Sequence, residues 1–301
     1  MFFRNVTMFR FPTSLDLSAL DAGLAECVLK PVGPLELSSA GFISPFGRDC
    51  EALSQRIGNA IWLTVGSENR LLPGAVVSEA LAKRLAAIEK EEGAIPGPRT
   101  RRRLKDEIIV DMLPRAFVRP GRIDAVLDLD LGLIAVNTSS RKAAEGVVSE
   151  IRRALGSFPA LPLSAESAAR SILTGWVAGE DLPEGLAIGD ECELSDSADE
   201  RAKAKFTRQE VESEEIGRHL DTGMQVSRLA LTLDDQASFV VGDDLVLRKF
   251  RLLDGAVDKL EHNDSDGLRA ELDARFALFS AELKRVFQAL HAGFTFVTPE
   301  A

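Results

Sequence analysis

The densest run of one chemistry in this chain is RTRRRLK at 99–105, where Arg99, Arg101, Arg102, Arg103 and Lys105 make five of seven positions basic. The whole chain carries a formal net charge of −11, so the excess is local. Thr100 reads as a helix N-cap, which places Arg101, Arg102 and Arg103 in the first turn. There the positive end of the helix dipole disfavours each cation by about 0.3–1 kcal/mol. Stability alone would put acids at those positions. Guanidinium groups and free backbone N–H groups at a helix start both suit a phosphate, so the run is a candidate nucleic-acid contact. The alternative is a solvated charged tip, and charge alone leaves both readings open. Downstream, MLPRAFVRPGR (112–122) adds Arg115, Arg119 and Arg122 without an acid. Phe117 lies between Pro114 and Pro120, where restrained backbone makes it a candidate interface anchor; the alternative is an ordinary core residue.

Motifs for catalysis are absent. The chain has no G-x-x-x-x-G-K-[ST], no G-x-G-x-x-G and no G-x-S-x-G, so the common phosphate cradles and the nucleophile elbow are missing. His219, His262 and His291 are far from cysteine and from one another, and read as surface or capping residues rather than ligands. Asp128 and Asp130 alternate along a strand, and Asp243-Asp244 falls in a turn, so edge polarity and turn chemistry account for them without acid/base work. Cys27, Cys50 and Cys192 are odd in number and form no C-x-x-C pair, so neither a disulfide framework nor a zinc site is expected. Trp62 and Trp176 read as core rather than as base-stacking platforms. No enzyme activity and no cofactor are expected.

The elements that must position these residues follow from periodicity. Residues 2–11 read as a first strand ended by Pro12. Ser14 reads as the cap of a helix with Leu17, Leu20, Leu24 and Val28 on one side. A buried strand is expected at 60–65. Leu81, Leu85 and Ile88 mark a helix over 78–92 that ends at Gly93, and Leu104, Ile108 and Met112 mark a second helix halted by Pro114. Two narrow-striped helices around a Gly/Pro loop make an antiparallel hairpin that projects from the body. Two strands are expected within 122–137, then a helix over 139–155 with Ala144, Val147, Val148, Ile151 and Leu155 inward, capped by Gly156. The run 157–164 reads as a stiff connector and the acidic 190–200 as a solvated loop, both candidate boundaries. Residues 213–220 form a short helix closed by Gly223, and 225–233 and 237–252 read as antiparallel strands with a turn at 242–244. Leu268, Leu272, Phe276, Phe279, Leu283, Phe287 and Leu290 step by three and four along a long final helix.

The 301 residues, 45% hydrophobic and 28% charged, fit a globular protein of one elaborate or two simple domains. The acidic balance argues against a nucleic-acid coat protein or a binder of anionic membrane, although it hides local patches. No stretch approaches a membrane span, and Met-Phe-Phe-Arg at the start lacks a basic n-region, so a cytoplasmic protein is expected.

In order along the chain, MFFRNVTMFRF, GFISPFG (41–47), LKDEIIVDMLPRAF (104–117), GLIAVNTSSRKAAE (132–145), RRALGSFPALPLS (152–164) and SEEIGRH (213–219) resemble the bacterial recombination-associated RdgC family. The likeness covers nearly the whole chain. It implies an α+β fold of mixed antiparallel sheets and helices with a projecting helical hairpin, assembled as a ring-shaped homodimer with duplex DNA through a positively lined hole. It also implies sequence-independent binding of double-stranded DNA, functional antagonism of RecA through restraint of strand exchange, nucleoid association and no catalytic residues. The projecting finger corresponds to about 75–113, between a central region at 1–74 and 114–160 and a C-terminal α+β region at 161–301. Leu113–Phe117 maps near a dimer contact that closes the ring. Arg208, Gln209 and Glu210 map to the ring's inner or joining surface. The finger loop departs from the family pattern: Gly93, Pro96, Gly97 and Pro98 stand where lysine-rich helical sequence is common. A reading from another class is a protein-binding regulator of recombination or nuclease proteins that does not hold DNA.

Overall fold

The computed structural model describes residues 3–47, 50–196, 202–209, 211, 213–253, 255 and 267–298. Two antiparallel sheets and seven helices make up the described residues, in agreement with the α+β expectation. The first sheet contains β1 (Thr7–Arg10), β2 (Ser38–Ile43), β3 (Ser54–Ile57), β4 (Ala60–Leu71), β5 (Phe117–Asp128), β6 (Leu133–Val136) and β7 (Leu161–Pro162). Their order is β2-β4-β5-β6-β1-β7, with β3 also on β4. The second sheet contains β8 (Leu186–Asp196), β9 (Lys203–Thr207), β10 (Met224–Leu233), β11 (Ala237–Gly242) and β12 (Leu247–Leu252) in the order β12-β11-β10-β8-β9. The helices are α1 (Leu20–Glu26), α2 (Gly74–Glu92), α3 (Pro98–Met112), α4 (Arg141–Leu155), α5 (Ala169–Val177), α6 (Glu214–Asp221) and α7 (Leu268–Phe294).

The first sheet is covered on both faces, because successive side chains of a strand point to opposite sides. Ile61, Leu63 and Val65 of β4, with Ala125 and Leu127 of β5 and Ile134 and Val136 of β6, face a core closed by α1 and α4. Ala60, Trp62, Val126, Leu133 and Ala135 face the other way, into a core shared with α5, α7 and the second sheet. The N-terminal segment ties the two sheets together. Val6 N donates to Leu247 O at 2.7 Å, and Leu247 N returns a bond to Val6 O at 2.9 Å. In α7, Phe276, Phe279, Leu283, Phe287 and Leu290 are buried, as their spacing predicts; the side chain of Leu268 lies outside the described residues. In α4, Ser140 Oγ accepts from the Ala143 amide at 3.4 Å, and Gly156 closes the helix at φ 73°.

Three expectations need correction. The first helix starts at Leu20, with Ala19 and not Ser14 at its N-cap, and Val28 is exposed. Leu17 is still buried, so an apolar residue just ahead of the helix extended the periodic signal beyond it. The strand expected at 60–65 runs on to Leu71, and its partner begins at Phe117. Residues 190–196 belong to β8 rather than to a solvated loop, and 197–200 lie outside the described residues. The acids of β8 are matched by bases on neighbouring strands: Glu193 accepts from Lys203 at 3.1 Å and from Arg228 at 3.3 Å, and Glu191 pairs with Lys205 and Lys249. Composition alone cannot show such cross-strand neutralisation.

Candidate nucleic-acid interface

A two-stranded ribbon carries the candidate residues out of the body. β4 and β5 pair without interruption from Ala60↔Asp128 to Leu71↔Phe117. At about 3.4 Å per residue, twelve residues reach about 40 Å. The inner half is buried, while residues from Ser67 outward on β4 are not. Pro120 is tolerated within β5 because β6 pairs only with residues 125–128, so among the described residues no strand flanks that side of the ribbon at Pro120. Where the ribbon leaves the core, the buried Asp124 carboxylate accepts from Thr64 Oγ1 at 2.6 Å, Arg122 Nη2 at 2.9 Å and Trp62 Nε1 at 3.3 Å. Arg122 also donates to Pro45 O at 2.7 Å, so this arginine of the basic stretch is held in the fold.

At the outer end, α2 and α3 form the expected antiparallel hairpin, inserted between the two strands of the ribbon. The nineteen residues of α2 give it a length of about 28 Å. Its apolar content is small: Val77 and Leu104 are buried, and Leu81, Leu85, Ile88 and Ile108 are half-buried. Gly93 ends α2 in the left-handed region, at φ 70°. Gly97 is the N-cap of α3 and Pro98 its first residue, so Thr100 lies inside the helix and is not its cap. Proline suits the first helical position, where no N–H is needed and its fixed φ already fits. Arg99 therefore sits in the first turn, and Arg101, Arg102 and Arg103 follow in the second. The dipole penalty fades within one turn, so these three are not placed against helix stability, contrary to the expectation from an N-cap at Thr100.

All five basic residues of the run are exposed. Arg101 Nε donates to Pro96 O at 2.9 Å, and Arg103 Nε lies 3.5 Å from Glu107 Oε1 one turn along. The acids Glu89, Glu91 and Glu92 end α2, adjoining the start of α3. Between 75 and 113 the finger holds eight basic and seven acidic residues, so its charge is segregated rather than large.

At the base of the finger, Arg115 occupies a 3₁₀ turn over 113–115 and Arg119 lies opposite Asn69 on the ribbon; both are exposed. Phe117 is 84% exposed, which overturns the core alternative. It faces Leu71 across the ribbon, and Leu35, Leu37, Val76 and Val118 are also exposed, all within or next to the segments that meet at this end. Sequence reasoning missed Arg70. Its guanidinium donates to Gly33 O through Nε and Nη2, both at 3.2 Å, and through Nη1 to Leu113 O at 2.8 Å and Ala116 O at 3.4 Å. A lone arginine in a strand gives no sequence signal for such a role.

Arg208 and Gln209 belong to the second sheet, between β9 and α6, rather than to the finger and ribbon. Their amides donate to Asp190 O at 2.7 and 3.4 Å, and Arg208 takes a left-handed φ of 57°. Glu210 and His262 lie outside the described residues. His219 packs against Phe206, and His291 stacks on Phe287 while its Nδ1 accepts from the Phe296 amide at 3.0 Å. Asp128 and Asp130 shape a turn: Asp128 accepts from the Leu131 amide at 3.0 Å, and Asp130 from Asn59 and Lys284, both at 2.7 Å. The three cysteines are unpaired, and burial, with the charge of Glu193 adding to it, pushes the Cys192 thiol up to about 12. Among the described residues no group of three or more His, Cys, Asp or Glu is placed to hold a metal ion, and no helix is long and apolar enough to cross a membrane.

Residues 1–296 match the family described as "Putative exonuclease, RdgC". The recombination-associated protein RdgC of Xanthomonas axonopodis pv. citri is 61% identical over 96% of this chain and 97% of its own length. The protein of the same name from Xanthomonas campestris pv. campestris is 60% identical and that of Xylella fastidiosa 59%, each over 96% of both chains.

Proposed function

Because the chain belongs to the RdgC family, we propose that it is a recombination protein that binds double-stranded DNA without regard to sequence. In this reading it encircles the duplex as a ring-shaped homodimer, restrains RecA-promoted strand exchange and associates with the nucleoid in the cytoplasm. The observation that carries the reading is the finger: five exposed cations gathered at the start of α3, on a hairpin raised from the body by the β4–β5 ribbon. Cations on a projecting element meet backbone phosphates, which hold a protein on DNA without reporting base identity. The exposed apolar group around Phe117 supports self-association at the base of that finger, since a projecting aromatic with apolar neighbours makes an interface anchor.

A second reading is favoured by the acidic end of α2. Glu89, Glu91 and Glu92 partly neutralise the arginines beside them, which suits a finger that contacts proteins of recombination rather than DNA. The word exonuclease in the family description adds a third. One set of titrations separates them. A random duplex is mixed with purified protein over a range of salt, with and without a divalent metal ion. A mobility shift that weakens with log salt at about −0.9 per phosphate contact supports the DNA reading. The absence of any shift supports the protein-binding reading, and metal-dependent shortening of the duplex supports a nuclease.

A further inference from the structure

The solvent face of the second sheet carries a cleft of about 300 Å³ that the finger does not explain. Its floor follows from register. Ala230 pairs with Val240 and Thr232 with Ser238 on the face opposite the core, while Leu229, Leu231, Phe239 and Val241 point inward. The floor is therefore small and bears two hydroxyls. The rims carry three cations and two acids: Arg208 stands on the β9 side beside Asp190 and Glu191 of β8, and Lys249 and Arg251 stand on the β12 side.

Both rims are built from irregular backbone. Ser238 pairs with Arg251 and Val240 with Arg248, so Phe239 alone faces the two residues Lys249 and Phe250. Lys249 takes up the extra length at φ 53°. On β8 the pairing jumps from Leu229↔Cys192 to Leu231↔Ile188, which bulges Gly189–Glu191 outward. The Asp190 carbonyl in that bulge then holds the Arg208 amide, with Arg208 at φ 57°. Left-handed backbone at an arginine and at a lysine is unfavourable, and bulges redirect side chains. Here both irregularities turn a cation toward one cleft.

Three cations against two acids leave the lining of the cleft one positive charge in excess. Glu191 is bound by both Lys205 and Lys249, whereas the guanidinium groups of Arg208 and Arg251 have no hydrogen-bond or ion-pair partner among the described residues. Two free guanidinium groups over a floor of Thr232 and Ser238 hydroxyls match an oxyanion, the guanidinium forks taking its oxygens pairwise and the hydroxyls donating from below. We propose that this cleft binds backbone phosphates of nucleic acid, as a contact separate from the finger. The assignment rests on the DNA-binding reading and adds to it Lys249 and Arg251, which stand in the short basic run RKFR (248–251), a run that does not itself show which of its cations share a cleft.

The test is duplex binding over a range of salt by the full chain, by Arg251→Gln, by Arg251→Gln with Lys249→Gln, and by Arg251→Lys. The double variant should lose affinity and flatten the slope of log K against log salt by more than Arg251→Gln alone but by less than about two phosphate equivalents, because Lys249 is shared with Glu191. Arg251→Gln alone should flatten it by about one, and Arg251→Lys should keep it. Arg251→Gln removes no described contact, so it reports even if the double variant fails to fold. If the unsubstituted protein binds and the glutamine variants match it, the cleft assignment falls and the finger reading stands. If the unsubstituted protein binds no duplex, both fall. A drop in assembled mass that accounts for the lost affinity would overturn the assignment as well, by showing a subunit contact in its place.

Discussion

Arg70 Nη1 donates to the carbonyl oxygen of Leu113 at 2.8 Å, and through that bond a residue of the ribbon holds the end of the finger. The same guanidinium reaches Ala116 O and Gly33 O. One side chain thus ties together the 3₁₀ turn after α3, the start of β5 and the loop before β2. The finger has little core of its own. Its orientation therefore depends on this junction more than on packing between α2 and α3.

Arg70→Met keeps most of the side-chain length and removes every donor. Hydrogen bonds from a charged group are worth about 1.5–3 kcal/mol each, less where water can replace them, and the junction is only part-buried. Global melting should fall by only a few degrees, while amide exchange across 74–116 should speed up at least tenfold relative to the body of the first sheet. Uniform exchange rates in variant and parent would show that the junction does not set the finger's position.

Phe117→Ser should leave the subunit fold intact. The ring is 84% exposed, and substitutions at such positions stay within about 0.5 kcal/mol. Self-association should weaken by at least tenfold, as it does when an interface anchor is truncated. Sedimentation and thermal melting together decide: unchanged association, or a large loss of melting temperature, counts against an anchor.

The finger was legible because its signals are local. Gly93 ends one helix, Pro114 follows the other, and the apolar steps between them survive in the structure as the half-buried seam. The ribbon beneath it was not legible. Proline and glycine are disfavoured inside a strand, and the place of Pro120 and Gly121 in β5 depends on β6 stopping at residue 125, a tertiary fact. The α3 cap was misread for a local reason. Thr100 and Gly97 both suit an N-cap, and Pro98 decides between them because it fits only at the first helical position. The acids of β8 were misread because their partners, Lys203, Arg228 and Lys249, lie on three other strands. Arg70 and the Lys249–Arg251 rim share that obscurity, since each acts across a register that only the folded sheets define.

The β11–β12 turn gives the second sheet an acid-sensitive point. Burial alone would raise the Asp244 pKa, but the hydrogen bond and charge of Arg248 outweigh it and hold the carboxyl below its usual range. Asp244 also accepts from the Val246 amide at 3.2 Å. A depressed pKa in the folded state adds stability above the ordinary carboxylate value, and that stability is lost as pH falls through the folded value. Asp244→Asn should therefore lower the melting temperature at neutral pH and reduce its decline below about pH 4. Parallel curves for parent and variant down to acid would show that this carboxylate contributes nothing to the pH dependence.

The finger's arginines give the most direct test of the DNA reading. If Arg101, Arg102 and Arg103 contact phosphates, replacing all three by glutamine should weaken duplex binding and reduce the salt slope by up to about three phosphate equivalents. The accompanying change in stability follows from where the three residues lie. They occupy the second turn of α3, so removing them relieves little dipole repulsion, and it deletes the Arg103–Glu107 pair, worth about 0.3–0.5 kcal/mol, along with the Arg101–Pro96 bond. The melting temperature should fall by one or two degrees rather than rise. A solvated tip predicts the same small fall with no change in DNA affinity. A finger whose arginines serve to neutralise Glu89, Glu91 and Glu92 predicts a larger fall, because three acids then crowd the negative end of α2 without counter-charge. Replacing those three glutamates by glutamine separates neutralisation from phosphate contact: it should restore the lost stability of the arginine variant if neutralisation is the role, and raise duplex affinity above that of the parent if the arginines face phosphate.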